Sequence, residues 1–160
     1  MGKKIFVLAP SAGGKSTLLR YLREKTDLPV REMDEEVMKS NNNEWPSDNK
    51  HKDQVLVPQI VKSLIAEERV IYLASYIPLP LVEEAKRKGF TTVLLQVREE
   101  TLKKRNKERM KREGYEDASQ WFSGQLSAYD NLKQSGLIDK TIDGDQSTEE
   151  IAKQLLSLFD

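Results

Sequence analysis

Nine consecutive residues carry the most specific chemistry in the chain: Ala9-Pro10-Ser11-Ala12-Gly13-Gly14-Lys15-Ser16-Thr17. They fit the phosphate-loop spacing G-x-x-x-x-G-K-[S/T], with Ala9 in place of the first glycine. A compact apolar run, Lys4 to Ala9, precedes them, and a helical pattern with Leu18, Leu19 and Leu22 on one face follows. Such a strand-to-helix turn aims successive backbone N–H groups, here of Ser11, Ala12, Gly13, Gly14 and Lys15, into one concavity, and the helix dipole adds positive potential. Gly13 and Gly14 let a phosphate approach the backbone closely. Lys15 is placed to bridge terminal phosphates, Ser16 to ligate Mg²⁺, and Thr17 completes the expected nucleotide-binding set. Ala9 has only to keep a tight turn at the strand end.

Two further groups suit the same chemistry. Arg105, Arg109 and Arg112 recur at i, i+4, i+7 and share one helix face. A guanidinium there can neutralise charge spreading over a γ-phosphoryl group in transfer, or stack on a base. The stretch 103–113 holds seven Lys or Arg, so a solvated basic face and a nucleic-acid strip stand beside that reading. The second apolar run ends Arg31-Glu32-Met33-Asp34-Glu35-Glu36. A carboxylate at Asp34, at a strand's carboxyl end and facing Lys15, can accept the proton of an acceptor hydroxyl and hold metal-bound water. The alternative is a helix-start acid favoured by the dipole, which Glu35 and Glu36 fit.

The elements that must position these residues alternate. Strands are expected near 4–9, 28–33, 70–74, 91–97 and 138–142, and helices near 18–24, 55–65, 81–88, 99–113 and 117–134. A last helix is opened by the capping box Ser147/Glu150. Residues 40–53 are polar and turn-rich and read as a long loop; Pro78 and Pro80 read as breaks. Gly89 and Gly114 mark helix ends. Alternating strands and helices imply an α/β fold, a parallel sheet covered on both faces, with ligands at the carboxyl ends of the strands.

The 160 residues suit one domain, 1–160. Lys plus Arg and Asp plus Glu number 26 each, a net charge of zero that argues against a general nucleic-acid coat or an anionic membrane partner. Without cysteine, disulfides, thiolate metal sites and Cys nucleophiles are excluded; with His51 alone, a multi-His zinc site has no ligands. His51 itself reads as a surface residue in the polar loop. No apolar run approaches the roughly 20 residues that span a bilayer, and the N-terminus does not read as a signal peptide. The expectation is a cytoplasmic protein, monomer or homodimer, without a membrane partner.

The chain resembles the small P-loop kinases, the adenylate kinase, shikimate kinase and gluconate kinase group. The phosphate loop carries the resemblance, with two other segments. Val93–Val97 followed by Leu102-x-x-Arg105-x-x-x-Arg109 looks like the strand and lid-entering helix of these kinases. Ile142-Asp143-Gly144 through Ser147 looks like their segment past the adenine. The resemblance implies a three-layer P-loop fold with a five-stranded parallel sheet and a helical lid, about residues 103–120. It also implies an acceptor-binding region at about 34–56, ATP as phosphoryl donor and Mg²⁺. It implies Arg105 and Gly144 on the adenine side, Arg109 at the phosphates, and Asp34 beside acceptor and metal.

The chain departs from some members. No further lid arginines follow 112 in the stretch Asp117–Trp121, which favours a shorter, shikimate-kinase-like lid. Neither 33–38 nor 75–80 carries an arginine, which disfavours a monophosphate or carboxylate acceptor, and no Gly-Gly-Gly turn follows the third strand. The strand ends Leu73-Ala74-Ser75 and Gln96-Val97 lack the buried acid of large ATPases, and Ser75 stands where many relatives place it. The expected enzyme is an ATP- and Mg-dependent kinase, catalytic residues Lys15, Asp34 and Arg109, metal ligands Ser16 and Asp34. It phosphorylates a hydroxyl of a neutral or cationic small molecule (nucleoside, sugar or similar), with Tyr76 and Trp45 available to stack on a ring. Alternatives are an ATP-binding regulator with little turnover and a nucleic-acid 5′-hydroxyl kinase.

Overall fold

The computed structural model describes residues 3–159. Five strands, β1 (Lys4–Leu8), β2 (Val30–Glu32), β3 (Val70–Ala74), β4 (Thr91–Gln96) and β5 (Lys140–Asp143), form one sheet in the order β2-β3-β1-β4-β5. Every neighbouring pair is parallel. β1 lies between β3 and β4, so the loop after it opens where the strand order reverses, the usual crevice of such sheets.

Both faces of the sheet are covered, and the alternation of β1 shows how. Phe6 and Leu8 pack toward α2 (Met33–Ser40), α4 (Val57–Ile65), α5 (Leu79–Arg87) and α7 (Ser119–Gln134). Ile5 and Val7 pack on the opposite face, toward α1 (Lys15–Lys25) and α8 (Thr148–Ser157). A third, smaller cluster joins Ala12 of the phosphate loop to Val97, Leu102 of α6 (Glu99–Glu113) and Phe122 of α7. This is the three-layer α/β architecture the alternation implies. The Ser147 hydroxyl caps α8 by accepting the Glu150 N–H at 3.2 Å, as the capping box predicts. Among the described residues, no helix is long and apolar enough to cross a membrane.

Two local expectations are corrected. The loop expected over 40–53 ends early: Asp48 caps a helical turn, α3 (Asn49–His51), which runs through a π turn (Lys52–Leu56) into α4. Pro58, in the first turn of α4, has no N–H for the Gln54 carbonyl, and its ring crowds that oxygen. The turn widens instead, and the Val57 N–H reaches back five residues to Lys52. Pro78 stands between β3 and α5, as expected, but Pro80 does not. Pro80 sits in the first turn of α5, where a missing donor costs nothing.

Candidate functional site

With all strands parallel, their carboxyl ends share one edge, and the chemistry-bearing residues gather there. The Gly13 N–H closes a tight turn on the Pro10 carbonyl at 2.8 Å. A Cβ at Gly13 would stand 2.6 Å from that same oxygen, so only glycine fits. Gly14, at φ 95°, is the residue that caps the start of α1. Ala12 holds φ 62°, a conformation costing an L-residue on the order of 1 kcal/mol or more, and it is buried against α7. Ahead lie the N–H groups of Lys15, Ser16 and Thr17, which find no partner among the described residues. They are the ordinary orphan donors of a helix start and, with the dipole, stand ready for an anion. Two donors expected in the concavity are turned elsewhere: the Gly13 N–H as described, and the Ser11 N–H, which donates to Gln125 Oε1 at 2.9 Å.

The Lys15 ammonium donates to the carbonyls of Ala9 and Pro10, both at 3.1 Å. Burial pushes its pKa below that of an ordinary lysine. Asp34 and then Glu32 oppose that shift, and the positive charge of Arg109 adds to it. Residues from the β1 loop, the β2 end and α6 therefore act on one another across the same edge. Asp34 is exposed, in the first turn of α2. Glu32, which sequence reasoning passed over, is the buried residue that sets this corner. Its carboxylate caps α2, accepting the N–H groups of Asp34 and Glu35, each at 3.0 Å. Burial raises its pKa, the neighbouring Asp34 raises it further, and the two N–H bonds and Lys15 counteract. A Glu two residues before an exposed Asp, at the end of an apolar run, is the signal that could have found it.

Glu35 and Glu36 do not merely face a dipole. Glu35 forms a two-pronged pair with Arg23, and buried Glu36 pairs with Arg31. Both arginines nearest the β2 end are thereby engaged.

Arg105 and Gly144 are brought together: Arg105 Nη2 donates to the Gly144 carbonyl at 3.3 Å. Its Nη1 is buried, has no partner among the described residues, and lies 3.7 Å from where a Cβ on Gly14 would stand, beside the phosphate loop. Gly144 is required by packing, since a Cβ would meet Val97 Cγ2 at 2.5 Å. Arg109 stacks over Tyr115 at 4.4 Å, and Arg112 is exposed. The turn between α6 and α7 is held by buried Asn106, which donates to Asp117 Oδ1 at 2.8 Å and accepts the Ala118 N–H at 3.0 Å.

Beyond β3, Ser75 is buried, and its carbonyl accepts the Tyr129 hydroxyl at 2.6 Å. Tyr76 is exposed, its pKa raised by partial burial and then by Asp53. Trp45 is exposed under the Lys52 ammonium, 5.4 Å away, and His51 is exposed on α3. Among the described residues, no group of three or more His, Cys, Asp or Glu side chains is built to hold a metal by itself. Mg²⁺ bound through one or two carboxylates and substrate phosphates needs no such cage, and Ser16 and Asp34 fit that donor set.

No protein-family model matches the sequence, and no curated protein matches it. Solved structures do. Shikimate kinase from Acinetobacter baumannii, in complex with shikimate, superposes with a TM-score of 0.69 at 19% identity, over 99% of this chain and 93% of that one. A sugar kinase from Janibacter sp. HTCC2649 gives 0.68 at 18%, over 99% and 94%. A gluconokinase from Sinorhizobium meliloti 1021 gives 0.63 at 18%, over 98% and 91%. The chain shares the P-loop kinase fold of these proteins along nearly its whole length.

Proposed function

We propose that this chain is an ATP- and Mg-dependent kinase that transfers the γ-phosphoryl group to a hydroxyl of a small molecule. One observation carries the reading: the open first turn of α1, with Lys15 at its start, lies on the same edge as the carboxylates of Asp34 and Glu32. Phosphate-binding and proton-accepting groups thus flank one space, as in-line transfer requires. The kinase fold of the neighbours supports it.

The loop Ser11 to Thr17 wraps the phosphates, and the open N–H groups of Lys15, Ser16 and Thr17 cradle them. Lys15 leaves the Ala9 and Pro10 carbonyls to pair with the terminal phosphates. Arg105 and Gly144 border the base, with the unpartnered Arg105 Nη1 as a free donor toward the loop. Arg109 exchanges its Tyr115 face for the γ-phosphoryl charge. Ser16 and Asp34 hold Mg²⁺, which would neutralise phosphate charge. Asp34 orients the acceptor hydroxyl and takes its proton as the oxygen–phosphorus bond forms. The bond to the bridging β,γ-oxygen breaks, and ADP leaves with the electron pair.

The whole chain, 1–160, works as a single domain, with the lid at about 103–120 and the acceptor region at about 34–56. The acceptor is neutral or cationic. Arg23 and Arg31 are engaged by Glu35 and Glu36, so no arginine near the β2 end is free to hold a phosphate or carboxylate, while Tyr76 and Trp45 offer ring faces. A cytoplasmic monomer or homodimer completes the reading.

The test combines binding and turnover. Mg-ATP at ~100 times its dissociation constant should stabilise the fold by about 2.7 kcal/mol, and Lys15→Ala should remove most of that shift. Nucleosides, sugars and aminoglycosides are then screened for phosphorylated product. Nucleotide binding without product from any acceptor indicates a regulator, product only with oligonucleotides a nucleic-acid kinase, and no nucleotide-dependent shift removes the reading.

A further inference from the structure

The first turn of the phosphate loop is held from a distance of 114 residues. Gln125, on α7, meets Ser11 with both ends of its amide. Its Oε1 accepts the Ser11 N–H at 2.9 Å, and its Nε2 donates to Ser11 Oγ at 3.0 Å. One turn earlier on the same helix, Phe122 packs in the cluster that buries Ala12, and Leu126 lies against that cluster. One turn later, Tyr129 donates to the Ser75 carbonyl at the end of β3. A single face of α7 therefore fastens the loop after β1 and the loop after β3.

That fastening falls where the loop is conformationally costly. Ala12 is an L-residue at positive φ, with no glycine's freedom to make that conformation cheap. Such a conformation persists where its surroundings over-determine it. Here the surroundings are α7: a two-bond clamp on Ser11 and apolar packing under Ala12. The clamp also spends a donor, because the Ser11 N–H points at Gln125 while the N–H groups of Lys15, Ser16 and Thr17 stay open.

We propose that Gln125 is a positioning residue for phosphate binding. By holding Ser11 it fixes the bend of the loop at Ala12, and so keeps the open N–H groups of the α1 start aimed at one phosphate. Gln125 touches no phosphate itself. This rests on the nucleotide-binding reading above.

The test is calorimetric binding of ADP and of adenosine to the parent chain, Gln125→Met and Ser11→Ala. Methionine keeps the length and packing of glutamine and removes both hydrogen bonds; alanine at Ser11 removes only the hydroxyl contact. Gln125→Met should weaken ADP binding by roughly 10-fold, as for one lost interaction of ordinary strength. Its adenosine affinity and unliganded melting temperature should stay close to the parent's, and Ser11→Ala should fall between parent and Gln125→Met for ADP. A merely structural role would lower adenosine and ADP affinity together. That result, or unchanged or tighter ADP binding by Gln125→Met, overturns the proposal. If Gln125→Met does not fold, amide hydrogen exchange of the free parent decides: Ser11 should be protected while Ser16 and Thr17 exchange freely, and equal rates overturn it. A parent chain that binds no ADP removes the nucleotide reading itself, and this proposal with it; a parent that binds ADP beside an unaffected variant removes the Gln125 role alone.

Discussion

Glu32 and Asp34 are two residues apart, yet the fold treats them differently. Glu32 is buried with both oxygens committed to the start of α2; Asp34 is exposed, and its charge raises the Lys15 pKa. Asp34→Asn should leave Mg-ATP affinity within a few-fold of the parent and lower turnover by roughly 10²-fold, the usual scale for a lost general base. The fitting control is Glu35→Gln, whose pair with Arg23 is half exposed and contributes at most about 1 kcal/mol. Glu36→Gln is no neutral control, because it removes the buried partner of Arg31 and leaves that arginine, among the described residues, only Glu67, at 3.4 Å. If Asp34→Asn turns over as the parent does, Asp34 is a helix-start acid. Lys15 makes a pH prediction. Its free-state pKa is lowered, chiefly by burial, and a bound phosphate raises it again by pairing the charge. Between those two values binding must take up a proton, and affinity must fall as pH rises through the lower one, short of the 10.5 of an ordinary lysine. Titration calorimetry in buffers of different ionisation enthalpy measures that uptake, and proton release on binding would refute it.

At the scale of elements, the α6–α7 corner decides how the lid region is held. Gly114 ends α6 in the left-handed conformation, and five residues later α7 begins. Buried Asn106 ties the turn by bonding Asp117 and the Ala118 N–H. Its hydrogen bonds are not easily replaced by water, so Asn106→Ala should cost about 1–3 kcal/mol. The loss should be local: limited proteolysis should cut 114–118 faster while the strands keep their hydrogen-exchange protection. Equal protection loss across β1 and β3 would show instead that this corner belongs to the global core. The π turn before Pro58 is the other irregular element. It contains Lys52 and Asp53, and Lys52 lies over Trp45, in the region proposed for the acceptor.

At the scale of the whole molecule, stability rests on two apolar layers sharing one sheet. Leu73, the fourth residue of β3 and wholly buried, packs into the layer of α1 and α8. Leu73→Ala should cost about 2–5 kcal/mol. For a chain of this size that lowers the melting temperature by roughly 2–4 °C per kcal/mol. Leu158→Ala, at the partly buried end of the same cluster, should cost clearly less. Equal losses in denaturant unfolding would contradict the layered packing.

Much of this molecule was legible in the residues alone, and the legible part was local. The strand–turn–helix around Gly13-Gly14-Lys15, the capping box of Ser147 and Glu150, and the left-handed ends at Gly89 and Gly114 all follow from neighbours within a turn or so. Hydrophobic alternation carried the α/β class for the same reason: period 2 and period 3.6 are written along the chain. Three features came only with the tertiary structure. The strand order placed β1 between β3 and β4. Burial made Glu32, which had no reading of its own, the cap of α2, and turned Glu36, an apparent helix-start acid, into the buried half of an ion pair with Arg31. Gln125 reached Ser11 across 114 positions. Each depends on which segments pack together, and a glutamine on an amphipathic helix carries no mark of the loop it will meet. Local backbone preference acts over a few residues, whereas burial and pairing between distant segments exist only once the core has closed around them.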